Sequence, residues 1–216
     1  VGRYSMVDGQ VRTADVTDSR LLGAMLELPR ERFTSDDKAH MAYLDIDLPI
    51  GDGGARSRRR MLRPMVLAKL LQAAEIRETD RVLDIGCGFG YAAALMAKMA
   101  GAVVALEENE TLLKGARVAL SGNPNITIVA GELVEGAAVH GPYDVILLEG
   151  ATDVVPTALI SQMTPGARLL CIMGAEAAGK AMLYRLFEGK LRVIALADSV
   201  DLISGSLNEV MFDFHV

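Results

Sequence analysis

The sequence predicts an α/β fold in which a doubly wound, mostly parallel sheet of seven strands carries helices on both faces. Apolar, strand-like runs alternate with helix-like segments through the middle of the chain, and a glycine-rich turn follows the first of these runs. Strands that are apolar throughout are typical of a parallel sheet covered on both faces. The tail holds two further strand-like runs, which fit an antiparallel strand pair. The expected architecture is Rossmann-like, with an N-terminal helical extension.

Composition favours one soluble, cytoplasmic domain over a nucleic-acid-binding or membrane protein. The chain has 216 residues, of which 51% are hydrophobic, enough for one well-buried core. Its net charge of −6 gives no general attraction to nucleic acid. No apolar stretch is long enough to span a bilayer, and no signal segment opens the sequence. Cys87 and Cys171 lie in apolar runs and are interpreted as reduced, buried thiols; the oligomeric state stays open.

Residues 1–63 are expected to form the helical extension and an active-site loop. Thr17 or Asp18 is a suitable N-cap for a helix whose apolar residues recur at helical spacing. Pro29 ends that pattern. Residues 51–63 are rich in glycine and arginine, which predicts a loop.

Residues 64–216 are expected to form one compact domain that begins with a helix at Pro64, since proline suits the first helical turn. Parallel strands are predicted at residues 81–85, 102–107, 126–130, 143–148 and 167–173. Helices are predicted near residues 90–100, 110–120 and 153–163. The tail contributes strands at residues 190–200 and 208–216, which complete the sheet as the antiparallel pair.

The turn after the first predicted strand, Gly86-Cys87-Gly88-Phe89-Gly90, points to a nucleotide-like cofactor. In the dinucleotide fingerprint a third glycine would stand where this chain has Tyr91, so the spacing here is G-x-G-x-G. Asp84 precedes the turn, where a carboxylate would repel a pyrophosphate and attract an ammonium group. S-adenosylmethionine (SAM) carries a cationic amino-acid end and a sulfonium, and it has no phosphate. The turn therefore favours SAM.

Acidic residues also follow the next three predicted strands. Glu107 ends the second strand, where a carboxylate can accept both ribose hydroxyls. Glu132 follows the third strand in a loop expected to reach the adenine, and Glu149 ends the fourth. Glu108, beside Glu107, either joins this group or is a solvated loop residue. Any one acid could be a solvated surface residue, but together with Asp84 they favour one cofactor rim.

Four segments carry a resemblance to a known family: MVDGQVRTADVTDSRLLGAMLELPRERF and MAYLDIDLPIG, both in the lead-in, VLDIGCGFGYAAALMA and GPYDVILLEGATDVVPTALISQMTPGARLL. They are similar to the lead-in helices, the cofactor turn and the fourth-to-fifth strand region of the protein-L-isoaspartate O-methyltransferase family. The resemblance spans roughly residues 6–175. It implies a SAM-dependent enzyme that repairs damaged proteins by methylating the α-carboxylate of L-isoaspartyl residues, with S-adenosylhomocysteine as product. The ester then collapses to a succinimide.

The resemblance also implies roles for individual residues. Those expected to hold SAM are Asp84, Gly86, Gly88 and Gly90 at the methionine end, Glu107 at the ribose and Glu132 near the adenine. The remaining cofactor-binding candidates are Cys87, Tyr91, Glu108, Gly131, Leu133 and Glu149. The three histidines are scattered without ligand spacing, so no metal site is expected.

The substrate loop departs from the family pattern. After an Ile-Gly pair the family carries Thr-Ile-Ser, one further residue and proline; anchored on Pro64, this chain has Leu62 in place of the serine. The loop is longer by about five residues and carries Arg56, Arg58, Arg59, Arg60 and Arg63. Arg60 and Arg63 flank the anchor and are the candidates for holding a substrate carboxylate. Two alternatives therefore stay open: a methyltransferase of a small anionic metabolite, and a SAM-binding protein without turnover.

Overall fold

Seven strands form one sheet in the part of the chain that the computed structural model describes, residues 2–51, 59–174 and 179–195. In chain order the strands are β1 (Leu48–Pro49), β2 (Arg60–Met61), β3 (Arg81–Ile85), β4 (Ala102–Glu107), β5 (Ile126–Ala130), β6 (Tyr143–Thr152), β7 (Met163–Met173), β8 (Lys180–Phe187) and β9 (Lys190–Ala195). The sheet has the order β5-β4-β3-β6-β7-β8-β9, and β1 pairs with β2 in a separate ribbon. Strands β3 to β7 are parallel, while β8 and β9 are antiparallel additions. The predicted fold class is confirmed.

The strand order reverses at β3, with β4 and β5 on one side and β6 and β7 on the other. In doubly wound sheets such a reversal opens a ligand-binding crevice at the carboxyl ends of the strands. Ile85 of β3 lies beside Leu106 of β4 and Leu148 of β6. Glu107 and Glu149, each one residue further along, therefore reach the same edge of the sheet as the glycine-rich turn.

Six α-helices lie in the described ranges: α1 (Gly2–Met6), α2 (Ser19–Glu27), α3 (Pro64–Ala73), α4 (Tyr91–Ala97), α5 (Glu110–Ala119) and α6 (Thr157–Ile160). The predicted cap of α2 is confirmed, because the Asp18 carboxylate accepts hydrogen bonds from the backbone N–H groups of Arg20 and Leu21. Pro64 occupies the first turn of α3, as predicted. None of these helices is long and apolar enough to cross a membrane.

The N-terminal extension packs into the same hydrophobic core as the helices beside the sheet. Between α1 and α2 the chain forms a π-helical turn at Val7–Val11. Met25 of α2 is fully buried in one cluster with Leu67 of α3. The Gln72 side-chain oxygen accepts hydrogen bonds from the backbone N–H groups of Thr17 and Asp18, which fastens the start of α2 to α3. Short 3-10 helices lie at Arg12–Ala14, Arg30–Phe33 and Asp36–Met41.

The antiparallel pair lies earlier in the chain than the sequence predicts. It is formed by β8 and β9, which are joined by a two-residue turn at Glu188 and Gly189 with φ of 49° and 74°. Burial alternates along β8, so this strand lacks the continuous apolar run that marks the parallel strands. The predicted strand at 190–200 is present in part as β9, and the one at 208–216 lies outside the described residues.

Two other boundaries differ from the prediction. The helix expected over 153–163 is reduced to the single turn of α6. Strands β6 and β7 are longer than expected and pair with register shifts between Tyr143 and Val145 and between Leu147 and Ala151. The shift beyond Leu147 includes Glu149, which lies just past the end of the pairing between β6 and β3, beside the crevice. The irregular strand end therefore belongs to the region that holds the candidate site.

Candidate active site

The glycine-rich turn brings backbone close to two neighbouring elements. Gly88 has φ of +58°, and a Cβ there would lie 2.6 Å from the Ile50 Cδ1 atom. Gly90 has φ of +95°, and a Cβ there would lie 2.6 Å from Leu120. Both positions require glycine, because a side chain would be strained as well as obstructed. The N–H groups of Gly86 and Cys87 donate to the Leu106 carbonyl, which fixes the turn against β4.

A pair of buried carboxyl groups lies beside the turn. The Asp84 side chain is 0% exposed and that of Glu149 only 5%. Both oxygens of Asp84 and Oε1 of Glu149 are buried without a hydrogen-bond partner in the described part of the chain. Burial raises the pKa of Asp84 to about 7. Burial, together with the charge of Asp84, raises the pKa of Glu149 well above its usual range. Unpaired buried carboxyl groups are costly, so this pair calls for a cationic ligand.

Glu107 is buried in the same acidic cluster but is fully hydrogen-bonded. Its Oε1 accepts from the backbone N–H groups of Glu108 and Asn109, each at 3.0 Å, and its Oε2 accepts from that of Gly88 at 2.9 Å. The Arg59 guanidinium completes the set with two bonds of 2.7 Å, one to each oxygen. The acid expected to bind ribose is therefore paired with an arginine of the substrate loop. Asp84, Glu107 and Glu149 together are called the acid cluster below.

The loop anchor is held by side chains that the sequence does not single out. Leu62 is fully buried, and its carbonyl accepts a 2.7 Å hydrogen bond from Nη2 of Arg30. The Arg63 guanidinium pairs with Asp47 at 2.8 Å, and the Arg63 N–H donates to the same carboxylate. Arg60 lies half-buried on β2. The structure thus brings Arg60, Leu62 and Arg63 to one ribbon end, with the isobutyl group of Leu62 in the core.

Arg30 joins this anchor to the cofactor turn. It is fully buried, and its Nε donates to the Ala42 carbonyl at 2.7 Å. Its guanidinium lies over the ring of Tyr91, 4.8 Å from the centroid, and Tyr91 also contacts Phe33. Tyr91 is therefore a buried packing residue at the start of α4. Burial lowers the pKa of Arg30, while Tyr91 and Glu149 oppose that effect.

The remaining predicted residues lie around the rim or outside the described ranges. Glu132 is exposed at the start of the 3-10 turn Leu133–Glu135, and Leu133 is buried. Glu108 is exposed, and its Oε2 accepts from the Leu133 N–H at 3.5 Å, which links the loops after β4 and β5. Gly131 is half-buried and Cys87 is buried. Arg56 and Arg58 fall outside the described residues. Within the described ranges, no group of three or more His, Cys, Asp or Glu residues is arranged to hold a metal ion.

The stability of the ligand-free protein should fall as the pH rises towards 8. The folded state raises the pKa of Asp84 and Glu149, so it holds protons that the unfolded chain releases. This proton binding contributes fully to the free energy of unfolding below the pKa values of the unfolded chain. The contribution is lost as the pH rises through the folded-state pKa of about 7 for Asp84. The free energy of unfolding then falls by at most about 1.4 kcal/mol per pH unit for each proton. Urea unfolding from pH 5 to 8 measures the slope. Glu149→Gln should flatten it; an identical slope in the variant would show that this carboxyl pair does not hold the proton.

Comparison with known proteins finds one family over nearly the whole chain. The family model described as Protein-L-isoaspartate(D-aspartate) O-methyltransferase matches residues 4–204. A relative of that name from Methanoculleus marisnigri is 35% identical over 90% of this chain and 87% of its own. A solved protein-L-isoaspartate O-methyltransferase covers 92% of this chain and 67% of its own, with 25% identity and a TM-score of 0.77. A structure from Plasmodium falciparum, in complex with S-adenosyl-L-homocysteine, has the same fold at 17% identity, with a TM-score of 0.74 over 94% of this chain and 99% of its own.

Proposed function

Because the chain belongs to the protein-L-isoaspartate(D-aspartate) O-methyltransferase family, we propose that its acid cluster holds SAM for transfer of a methyl group to an isoaspartyl carboxylate. The family is described as protein-L-isoaspartate O-methyltransferases, and a solved structure of the same fold holds S-adenosyl-L-homocysteine, the product of SAM. We also propose which residues of this chain hold the cofactor and which hold the substrate.

The acid cluster carries the proposal. Three buried carboxyl groups meet at the crevice, and among the described residues Arg59 is the cation hydrogen-bonded to them. The oxygens of Asp84 accept no hydrogen bond of ordinary geometry there, and the Asp84 carboxyl group lies beside that of Glu149. SAM brings an ammonium and a sulfonium, so its charge complements this excess of carboxylate. The residues present fit the cofactor.

Each part of the cluster has a distinct task in this proposal. Asp84, with Glu149 beside it, holds the ammonium end, and Glu107 accepts the ribose hydroxyls. Gly86 and Gly88 let the methionine portion approach the backbone, and Gly131, Glu132 and Leu133 border the adenine. When bound, SAM supplies an electrophilic methyl group on a sulfonium. Gly88 has a positive φ and no side chain, and a Cβ there would lie against Ile50.

The substrate side needs positioning rather than a base. A carboxylate nucleophile is ionised at neutral pH, so orientation towards the methyl group accounts for most of the rate enhancement. Leu62 supplies no hydroxyl at the family's serine position. Arg60 and Arg63 stand on either side of it, and a guanidinium can bind a carboxylate through two parallel hydrogen bonds. We assign them to the substrate carboxylate, with the Arg63–Asp47 pair holding that arginine in place.

A peptide pair tests the proposed reaction. The protein is incubated with methyl-labelled SAM and two peptides that differ only in an aspartyl or an L-isoaspartyl linkage, and base-labile methyl esters are counted. Label on the isoaspartyl peptide alone supports the proposal. Cofactor binding without label on either peptide would favour a small anionic substrate or a protein that binds SAM without turnover, and it would contradict the isoaspartyl assignment.

Replacing Arg60 and Arg63 together by alanine should reduce kcat/KM for the isoaspartyl peptide by about 10- to 100-fold. The reason is the loss of charge-assisted hydrogen bonds, worth about 1.5–3 kcal/mol. SAM affinity, measured by calorimetry, should change less than about threefold, because neither guanidinium is assigned to the cofactor. The matched control replaces two exposed arginines, Arg12 and Arg117, and should keep full turnover. Unchanged kcat/KM in the Arg60/Arg63 variant would remove both from the substrate site.

A further inference from the structure

We propose that Arg59 is a built-in competitor of the cofactor: its guanidinium occupies the ribose-binding atoms of Glu107 and must leave before SAM can bind. The inference rests on the proposed function, because it takes Glu107 as the ribose acceptor. It adds a residue that sets the affinity of the site for its cofactor. The substrate loop, which carries Arg59, then affects cofactor binding as well as substrate binding.

Glu107 has no acceptor position left while Arg59 is bound. A carboxylate offers about four lone-pair positions. Five donors already surround this one: three backbone N–H groups at 2.9–3.0 Å and two guanidinium nitrogens at 2.7 Å. Two ribose hydroxyls cannot be added to this set. Ribose binding at Glu107 therefore requires two of the five donors to leave.

The backbone donors cannot leave, whereas the guanidinium can. The N–H groups of Gly88, Glu108 and Asn109 belong to the cofactor turn and to the start of α5, so they hold the carboxylate in place with or without arginine. Glu107 is completely buried, but the Arg59 side chain is 16% exposed and is approached from solvent. The arginine is thus the component of the pair that moves outwards.

The guanidinium and a ribose present equivalent donors to this carboxylate. Arginine offers two parallel N–H groups to the two oxygens, and a vicinal diol offers two O–H groups with similar spacing. The exchange keeps the hydrogen-bond count of Glu107 unchanged. Because an incoming SAM is itself cationic, the exchange also keeps a positive charge near the cluster. These features make Arg59 and the ribose alternatives for one place.

The backbone of Arg59 is fixed, so the exchange involves the side chain. The Arg59 carbonyl accepts a 2.9 Å hydrogen bond from the N–H of Ile50, the residue after β1. Arg59 itself directly precedes β2. Its Nη2 also donates to the Gly86 carbonyl at 3.0 Å, across the cofactor turn. Rotation of the side chain breaks these guanidinium bonds and leaves the ribbon in place. Apparent affinity for SAM is then the intrinsic affinity reduced by the fraction of molecules in which Arg59 is away from Glu107.

Calorimetric titration of SAM and S-adenosylhomocysteine into Arg59→Ala tests the competition. We expect both ligands to bind about tenfold more tightly, or more, than to the wild-type protein. Arg59→Lys, which keeps the charge but loses the paired donors, should fall between the two. Arg12→Ala is the matched control, since that exposed arginine pairs with Asp8 and not with the acid cluster, and the affinity of this variant for both ligands should stay within about twofold of wild type. Thermal unfolding without ligand checks that each variant is folded.

The two ligands separate competition from simple charge repulsion. S-adenosylhomocysteine lacks the sulfonium charge, so tightening confined to SAM would indicate repulsion by Arg59 and would overturn the competitor role. Equal or weaker binding of both ligands by Arg59→Ala would also overturn it and make Arg59 a supporting residue. If neither wild type nor any variant binds either ligand, the proposed cofactor site itself fails, a result distinct from the other two.

Discussion

Asp84→Asn should weaken SAM binding by about 100-fold and at the same time stabilise the ligand-free protein. The first effect follows from losing the carboxylate assigned to the ammonium end, since a charge-assisted hydrogen bond contributes up to about 3 kcal/mol. The second follows because a buried carboxyl group without a partner is replaced by a neutral amide of nearly the same shape that can donate to Glu149. At pH 8, where the carboxyl group is ionised, we expect a gain of about 1–3 kcal/mol in the free energy of unfolding.

Calorimetry and urea unfolding on the same sample measure both effects. Glu110→Gln, on the exposed first turn of α5, is the control and should alter neither quantity. The opposite signs matter, because a variant that was merely misfolded would lose affinity and stability together. Unaltered SAM affinity in Asp84→Asn would place the ammonium elsewhere and contradict the assignment.

Arg30→Met should lower the free energy of unfolding by about 2–4 kcal/mol and impair use of the peptide substrate. The change leaves the carbonyls of Ala42 and Leu62 buried without their donors and removes the cation over Tyr91. Because the Leu62 carbonyl is one of its anchors, the substrate loop should shift, and we expect KM for the isoaspartyl peptide to rise more than kcat falls. SAM affinity should change less, since the hydrogen bonds of Arg30 go to the carbonyls of Ala42 and Leu62 and not to the acid cluster.

Denaturant unfolding and steady-state kinetics at a temperature where the variant stays folded are the measurements. Arg30→Lys retains the cation and one donor and should recover part of both losses. Arg81→Met is a suitable control, because that exposed arginine also donates to a carbonyl, that of His140, and should cost less than about 1 kcal/mol. A rise in KM of the same size in Arg81→Met would show that the effect is not specific to the loop anchor.

The central strands and the first helix caps follow from local sequence. Strands β3, β4 and β5 have the predicted bounds because each is an apolar run between polar turn residues. Asp18 and Pro64 mark helix starts for reasons that act within one turn. Strand β8 was missed, since its half-buried alternation gives a weaker signal than a fully buried strand and its limits depend on pairing with β7.

The meeting of the strand-end acids was also predictable, but their partners were not. Parallel strands in register place Asp84, Glu107 and Glu149 at one edge, which a sequence can indicate. Nothing local distinguishes Arg59 from its neighbours Arg60 and Arg58, because tertiary packing decides which guanidinium reaches Glu107. Burial of Arg30 likewise depends on carbonyls 12 and 32 residues further along the chain. The sequence favoured the arginines beside the anchor and assigned Arg59 no separate role.

A crystal structure of the chain with S-adenosylhomocysteine would show whether the acid cluster holds the cofactor and whether Arg59 gives way to it. We expect the ribose hydroxyls on the Glu107 carboxylate, the amino group beside Asp84, and the Arg59 guanidinium turned away from both. Ligand bound outside the acid cluster, with the two 2.7 Å bonds from Arg59 to Glu107 still in place, would contradict this expectation.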